Sequence, residues 1–104
     1  VLLNGNRVNE DNVPSVFDDW NKIYIKDEDI IPQDFHEYPY ASSWIGLNML
    51  AVNPTTVIVD EIQTNIINIL EKKNFTVIPL PLRHSRTMGG GFHCVTLDLW
   101  REND

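Results

Sequence analysis

The stretch from residue 56 to residue 78, TVIVDEIQTNIINILEKKNFTVI, decides the fold class. Its middle carries apolar side chains that share one face at helical spacing: Ile62, Ile66, Ile67, Ile69 and Leu70. This spacing predicts an amphipathic helix over residues 61–73, with a capping box at Asp60 and Gln63 and a stop at Asn74. The β-branched residues on either side predict strands over residues 56–59 and 75–78. The succession of strand, helix and strand indicates an α/β fold.

Downstream of this unit, the sequence predicts a loop and then a further strand. The loop contains Pro79, Pro81 and the run Gly89-Gly90-Gly91. Residues 92–100 alternate, with Val95, Leu97 and Leu99 on one side and polar residues or Trp100 on the other. This alternation predicts a strand over residues 92–100.

Upstream, the first half of the chain repeats the same order more weakly. A strand is predicted over residues 1–3, and Asn4-Gly5 turns the chain. Asn12 caps a predicted short helix over residues 13–19, and a strand follows over residues 22–25. A long loop with Pro32 and Pro39 then leads to a predicted strand over residues 44–52.

Each half therefore has the order strand, helix, strand, loop, strand in roughly fifty residues, a period typical of repeat architectures. We expect two successive modules, residues 1–52 and 53–104; the alternative is an ordinary α/β sandwich whose halves are alike by chance. The two long loops end in Ala41-Ser42-Ser43 and in the glycine run, each immediately before a predicted strand. If the modules pack around an axis, Ser42 and Cys94 face the same central space.

Composition limits the function classes. The chain has 104 residues and a formal net charge of −7, which argues against nucleic acid as a partner. No apolar run is long enough to cross a bilayer and no secretory signal is visible, so we expect no membrane partner. A single cysteine excludes an internal disulfide, and a reducing, cytoplasmic location is the expectation. The chain begins at Val1 inside an apolar stretch, which predicts further sequence upstream.

Cys94 is the candidate nucleophile. The alternative is a buried structural thiol, but three consecutive glycines contribute no packing and favour a backbone that curls around a reacting group. A thiolate needs a nearby base or positive charge. His93 is a poor candidate because neighbours on a strand point to opposite faces. His84 lies in a loop that could fold near Cys94, and His36 is more remote. No spacing fits a zinc site, and the sequence has no phosphate loop or dinucleotide fingerprint, so we predict no metal and no cofactor.

The run Met88-Gly89-Gly90-Gly91-Phe92-His93-Cys94-Val95-Thr96 closely resembles the nucleophile segment of the amidinotransferases. The resemblance extends through residues 42–50, then residues 57–60 and the following helix, and more weakly back to Arg7. These enzymes modify guanidino groups and have the pentein fold, an α/β propeller of ββαβ modules around a central active site. The resemblance implies that this chain is the C-terminal part of such a domain, with about two modules.

The resemblance also implies roles for individual residues. Cys94 matches the cysteine that attacks the guanidinium carbon of arginine and becomes an amidino-cysteine. Ser42 matches a serine that holds the arginine; the neighbouring family serine falls on Ala41, so this sequence departs from the family pattern at that contact. Arg7 matches an arginine that binds the substrate carboxylate, and the planar guanidinium is suited to a bidentate contact with a carboxylate. The alternatives are a solvated loop residue for Arg7 and a structural hydrogen-bonding serine for Ser42.

The family's general acid/base histidine and carboxylates precede the matched segment. We therefore expect the isolated chain to be inactive and the complete protein to move the amidino group from arginine to an acceptor amine. Open sheet edges and an apolar face would allow homo-oligomers. One alternative is a deiminase of arginine or agmatine, in which water replaces the amine. Another is a pentein-like binding protein without catalysis.

Overall fold

The computed structural model describes residues 1–31, 42–82, 84 and 88–102. The predicted loop with Pro32 and Pro39, together with His36 and Ala41, lies outside this part of the chain. The strands are β1 (Leu2–Asn4), β2 (Ile23–Ile25), β3 (Leu50–Asn53), β4 (Thr56–Asp60) and β5 (Thr76–Leu80). The helices are the α-helix α1 (Thr64–Lys72) and the 3-10 helices Ser15–Phe17, Asp27–Asp29 and Ser43–Leu47.

The second half forms a three-stranded sheet in the order β3-β4-β5. β3 and β4 are antiparallel and meet at a tight turn, where Asn53 Oδ1 accepts from the backbone N of Thr55 at 2.9 Å. β5 is parallel to β4, from Thr56 opposite Thr76 to Asp60 opposite Leu80. Parallel strands need a crossover connection, and α1 provides it. The predicted strand, helix and strand of residues 56–78 are thus confirmed as an α/β unit.

The helix α1 begins later than the sequence predicts. Its N-cap is Gln63, whose side chain forms no capping hydrogen bond, so the predicted capping box is wrong. Asp60 Oδ1 instead accepts from the backbone N of Ile62 at 3.3 Å, in the turn between β4 and the helix. The predicted stop is confirmed: Asn74 has a φ of 67°, the left-handed conformation that ends many helices.

The first half is a smaller unit in which β1 and β2 pair in parallel, with Leu2 opposite Ile23. Both strands were predicted. The connection between them contains the 3-10 helix Ser15–Phe17 in place of the predicted helix over residues 13–19, and none of its residues is buried. Its apolar side chains do not pack against the sheet, since Val16 is 70% and the nearby Trp20 57% exposed, so packing does not stabilise a longer helix there.

The two halves share one hydrophobic core. Its buried side chains come from both halves: Ile25, Ile30, Val57, Val59, Ile66 and Leu70. The expected division of the chain near residue 52 falls within β3, which pairs with β4 on the other side of it. The division into modules therefore stays a prediction. No helix in the described residues is long and apolar enough to cross a membrane.

Two predicted strands are wrong in whole or in part. Residues 43–47 form a 3-10 helix, so only the end of the predicted strand 44–52 is extended, as β3. Residues 92–95 form a turn, and none of residues 92–100 is in a strand. The alternating apolar side chains of that segment are exposed, by 83% at Leu97 and 89% at Leu99. Alternation alone did not place them against the core.

Candidate functional site

Cys94 is a free, exposed cysteine within the turn of residues 92–95. A free cysteine is among the most buried residue types in proteins, and it then behaves as a small apolar side chain. The exposure of Cys94 excludes that structural role within the described chain. A thiol in this position is accessible to a reactant.

The turn around Cys94 is closed by local hydrogen bonds. The backbone N of Val95 donates to the carbonyl of Gly91 at 3.3 Å, and that of Thr96 donates to the carbonyl of His93 at 3.2 Å. Thr96 Oγ1 donates to the carbonyls of Phe92 and His93, at 3.1 and 3.0 Å. These bonds fold the segment on itself, which is why it does not extend as a strand.

Asn48 connects the turn to the rest of the fold, and the sequence interpretation gave it no role. Its Oδ1 accepts from the backbone N of Cys94 at 3.0 Å, across 46 residues. Gly91, which is buried, lies against the same side chain: a Cβ added there would stand 2.5 Å from Asn48 Cβ and from its carbonyl oxygen. The third glycine of the run is therefore needed for its close approach to Asn48.

The signal for Asn48 was weak but present. It lies within the segment of residues 42–50 that resembles the amidinotransferases, inside the predicted strand of residues 44–52, where a polar side chain among apolar ones is uncommon. Only the long-range contact reveals what it does, and residue spacing does not encode that contact.

Ser42 is the N-cap of the 3-10 helix Ser43–Leu47. Its Oγ accepts from the backbone N of Trp44 at 3.2 Å, and its carbonyl accepts from that of Ile45 at 3.0 Å. Asn48 is the C-cap of the same helix. The structure thus connects Ser42 and Cys94 through opposite ends of one short helix. Ser42 is exposed, so the capping role and a substrate contact are compatible.

The short helix is held in place by a fully buried glutamine. Gln63 packs under Gly46, where an added Cβ would lie 2.8 Å from Gln63 Cγ and Cδ. Gln63 Oε1 accepts from the backbone N of Ile31 at 3.0 Å, and its Nε2 donates to the Ile31 carbonyl at 2.9 Å. The side chain therefore joins Ile31, the start of α1 and the helix that ends at Asn48.

The described histidines do not activate the thiol through a hydrogen bond. His93 and His84 are exposed, and the imidazole of neither is hydrogen-bonded to a described residue. The reason first given against His93 was wrong, because the turn does not alternate as a strand does. His36 lies outside the described residues.

Arg7 lies in the turn after β1, where its backbone N donates to the Asn4 carbonyl at 3.0 Å and its carbonyl accepts from Asn12 Nδ2 at 3.1 Å. Its side chain is exposed, and its guanidinium forms no ion pair or hydrogen bond with the described residues. The guanidinium is available to a carboxylate, but no contact in the described chain connects it to Cys94.

The segment after the turn carries an ion pair and an open groove. Arg101 Nε donates to Asp98 Oδ2 at 2.8 Å, and Arg101 Nη2 donates to the Ala51 carbonyl on β3 at 2.7 Å. The hydrogen bond from Arg101 lowers the pKa of Asp98, and the charges of Arg101 and His93 add to this effect. Residues 50–54 and 96–102 line the groove, which does not include Cys94.

No group of histidine, cysteine, aspartate or glutamate side chains suited to a metal ion is present in residues 1–31, 42–82, 84 and 88–102. The chemistry that the described site supports is that of a single thiol presented on an anchored turn.

Comparison with known proteins identifies relatives of this chain, although no family model matches it. It is 45% identical over 102 residues to inosamine-phosphate amidinotransferase 1 of Streptomyces glaucescens, a match that covers 97% of this chain and 29% of that protein. It is 31% identical over 101 residues to the L-arginine:L-lysine amidinotransferase of Pseudomonas savastanoi pv. phaseolicola, covering 97% of this chain and 27% of that protein.

The fold agrees with these relatives. A solved inosamine-phosphate amidinotransferase from Streptomyces griseus matches 99% of this chain with a TM-score of 0.84 and 42% identity, over 29% of its own length. The resemblance to amidinotransferases is thereby confirmed in sequence and in structure. The chain spans less than a third of the length of the relatives it matches.

Proposed function

We propose that this chain, a homologue of the amidinotransferases over nearly its whole length, is the nucleophile-bearing part of an enzyme that transfers the amidino group of arginine. The observation that carries the proposal is the exposed thiol of Cys94 on a turn held by Asn48. The arginine donor is taken from the name of the Pseudomonas relative. The fold of the complete domain would be a pentein, of which residues 1–104 would supply about two modules.

The proposed reaction has two half-reactions at Cys94. The thiolate attacks the guanidinium carbon of arginine and forms a carbon–sulfur bond. The tetrahedral adduct then collapses, the carbon–nitrogen bond to the side chain breaks, and ornithine leaves after its amine takes a proton. An acceptor amine next attacks the amidino-cysteine, forms a carbon–nitrogen bond and loses a proton, and the carbon–sulfur bond breaks to restore the thiolate. No electrons are exchanged with an outside group.

Substrate binding is proposed for Ser42 and Arg7. Ser42 is exposed at the end of the helix that also carries Asn48, so its hydroxyl can contact a substrate near Cys94 while its Oγ caps the helix. The guanidinium of Arg7 has no partner among the described residues and suits the α-carboxylate of arginine. The proposal includes a reducing compartment, which keeps a nucleophilic thiol free.

The general acid/base is proposed to lie outside these 104 residues, because the resemblance implies that the family's histidine and carboxylates precede the matched segment. None of the described histidines forms a hydrogen bond that would activate the thiol, and the guanidinium also needs carboxylates to orient it. The isolated chain of 104 residues is therefore proposed to be inactive, and the complete gene product is the protein to assay.

The test follows the guanidino carbon through turnover. The complete gene product is supplied with arginine labelled at that carbon and with candidate amines such as glycine, lysine and an amino sugar phosphate. The proposal predicts ornithine in equal amount to a labelled, amidinated amine, and no product from Cys94→Ser. Release of ammonia and citrulline in the absence of an amine would establish hydrolysis instead and reject transfer.

A further inference from the structure

We infer that Asn48 is the positioning residue of the nucleophile: it sets where the Cys94 turn stands relative to the sheet. This inference rests on the proposed role of Cys94 and adds to it a residue that does not itself react. Neither the sequence pattern nor the names of the relatives assign a function to Asn48.

The hydrogen bonds of the turn single out this residue. Those within residues 91–96 are local, and they fix the shape of the turn without fixing its place. Of the hydrogen bonds between described residues, the one from the backbone N of Cys94 to Asn48 Oδ1, at 3.0 Å, alone connects these six residues to the rest of the chain. It acts at the nucleophile's own peptide group, two bonds from the carbon that bears the thiol.

The packing of Gly91 against Asn48 independently supports the same conclusion. The backbone of Gly91 lies so close to Asn48 that a Cβ would stand 2.5 Å from Asn48 Cβ and 2.6 Å from its Oδ1. Contacts this close do not occur for real side chains. The turn is therefore held at Gly91 by contact and at Cys94 by a hydrogen bond, and both involve one side chain.

Asn48 has a firm base in the fold. As the C-cap of the helix Ser43–Leu47, its backbone N donates to the Ile45 carbonyl at 2.9 Å. The middle of that helix rests on the fully buried Gln63. A side chain can position a reacting group to within a fraction of an ångström only when its own support is this rigid.

The hydrogen bond also fixes the orientation of the Asn48 amide. A backbone N–H can only donate, so the oxygen of the amide must face Cys94. An aspartate at this position would keep the acceptor and bring a negative charge close to the thiolate, whereas an alanine would remove the acceptor and bring no charge. The two substitutions therefore separate geometry from electrostatics.

The experiment compares Asn48→Ala, Asn48→Asp and the matched control Asn68→Ala in the complete gene product. Asn68 is exposed on α1, so its loss removes the same amide from a place that does not contact the turn. Three quantities are measured: the single-turnover rate of amidino transfer from arginine to Cys94, the exchange rate of the Cys94 amide hydrogen, and the rate of thiol alkylation by iodoacetamide as a function of pH.

Asn48→Ala is expected to slow amidino transfer about ten- to a hundredfold, with little change in the concentration of arginine at half saturation. The exchange of the Cys94 amide should accelerate at least about tenfold, because its acceptor is gone. Asn48→Asp should retain slow exchange and should move the midpoint of the alkylation profile to higher pH, since the added negative charge disfavours the thiolate. Asn68→Ala should match the wild type in all three.

The inference is overturned if Asn48→Ala keeps the transfer rate within about twofold of wild type, or if Asn68→Ala slows it equally. Failure of the inference about Asn48 can be distinguished from failure of the proposed function. If wild-type Cys94 accepts no amidino group, the proposed function is rejected, while amide exchange and alkylation still report whether Asn48 holds the turn.

Discussion

Asn48 and Gln63 are both amide side chains that connect parts of the chain far apart in sequence, but they do so in different surroundings. Gln63 is fully buried and uses both ends of its amide, donating to and accepting from the backbone of Ile31. Asn48 is half-buried, and its Oδ1 accepts from Cys94 in an exposed turn. Gln63 connects Ile31 to the start of α1, and Asn48 connects the end of the helix Ser43–Leu47 to the exposed residue Cys94.

Loss of Gln63 is expected to lower stability, whereas loss of Asn48 is expected to change the position of the Cys94 turn. If Gln63 is removed, two partly buried backbone groups of Ile31 lose their partners, a cavity forms where the side chain was fully buried, and the free energy of unfolding falls. If the Asn48 side chain is removed, the backbone N–H of Cys94 can be hydrated, so the free energy of unfolding changes little. The turn then loses the hydrogen bond that holds its position. The fold and the site are thus held by separate contacts that meet at the helix Ser43–Leu47.

The largest effect is expected for Gln63→Ala. It removes two hydrogen bonds and leaves a cavity beneath Gly46, so the free energy of unfolding should fall by about 3 kcal/mol, as measured by denaturant titration. Gln63→Met fills most of the volume without the hydrogen bonds and should recover part of the loss. A loss below about 1 kcal/mol for Gln63→Ala would show that the buried connection contributes no more than an exposed one.

A smaller effect on stability, but a clear one on activity, is expected for Gly91→Ala. The new Cβ would meet Asn48 at 2.5 Å, so the turn must move away from its anchor. Amidino transfer should slow about tenfold or more, with a loss of roughly 1 kcal/mol in stability. Gly90→Ala, in the same glycine run, is the matched control and should stay within about threefold of wild type. Equal losses of transfer rate in Gly91→Ala and Gly90→Ala would contradict a specific role for the contact between Gly91 and Asn48.

The smallest effect is expected at the ion pair of Asp98 and Arg101. The hydrogen bond from Arg101 lowers the pKa of Asp98. A carboxyl with a lowered pKa in the folded state contributes stability above its ordinary pKa, and this contribution is lost as the pH falls through the lowered value. Both side chains are largely exposed, so the contribution is small.

The comparison of wild type with Asp98→Asn tests this sign. The wild type should be slightly more stable near neutral pH, and the difference should close as the solution is made strongly acidic. Thermal unfolding at a series of pH values measures it. A difference that widens in acid would mean that the pair does not act through the ionised carboxylate.

The sequence was sufficient for the α/β unit of residues 56–80, because its signals are local. The isoleucines of α1 recur at helical spacing, Asn74 tolerates a left-handed conformation, and β-branched residues flank the helix on both sides. The same reasoning failed over residues 92–100, where an alternating pattern folds as a turn. Bonds from Thr96 to the preceding carbonyls and the contact with Asn48 override the pattern there.

The candidate site was predicted in part for the same reason. Cys94 and its glycines carry a recognisable local motif, while the role of Ser42 toward a substrate stays a prediction. Asn48 was missed because its role arises from a contact across 46 residues, and Gln63 because a polar residue on an apolar helix face resembles a capping residue until its partner is known. Long-range polar contacts are the part of a fold that residue periodicity does not contain.

The most direct measurement is the mass of the protein after brief exposure to arginine. The complete gene product is mixed with arginine labelled at the guanidino carbon, without an acceptor amine, and quenched in acid. We expect the mass to increase by one labelled amidino group on the peptide that contains Cys94, with no increase in Cys94→Ser. An unchanged mass in a protein that still consumes arginine, or a label on any other residue, would contradict the assignment of Cys94 as the nucleophile.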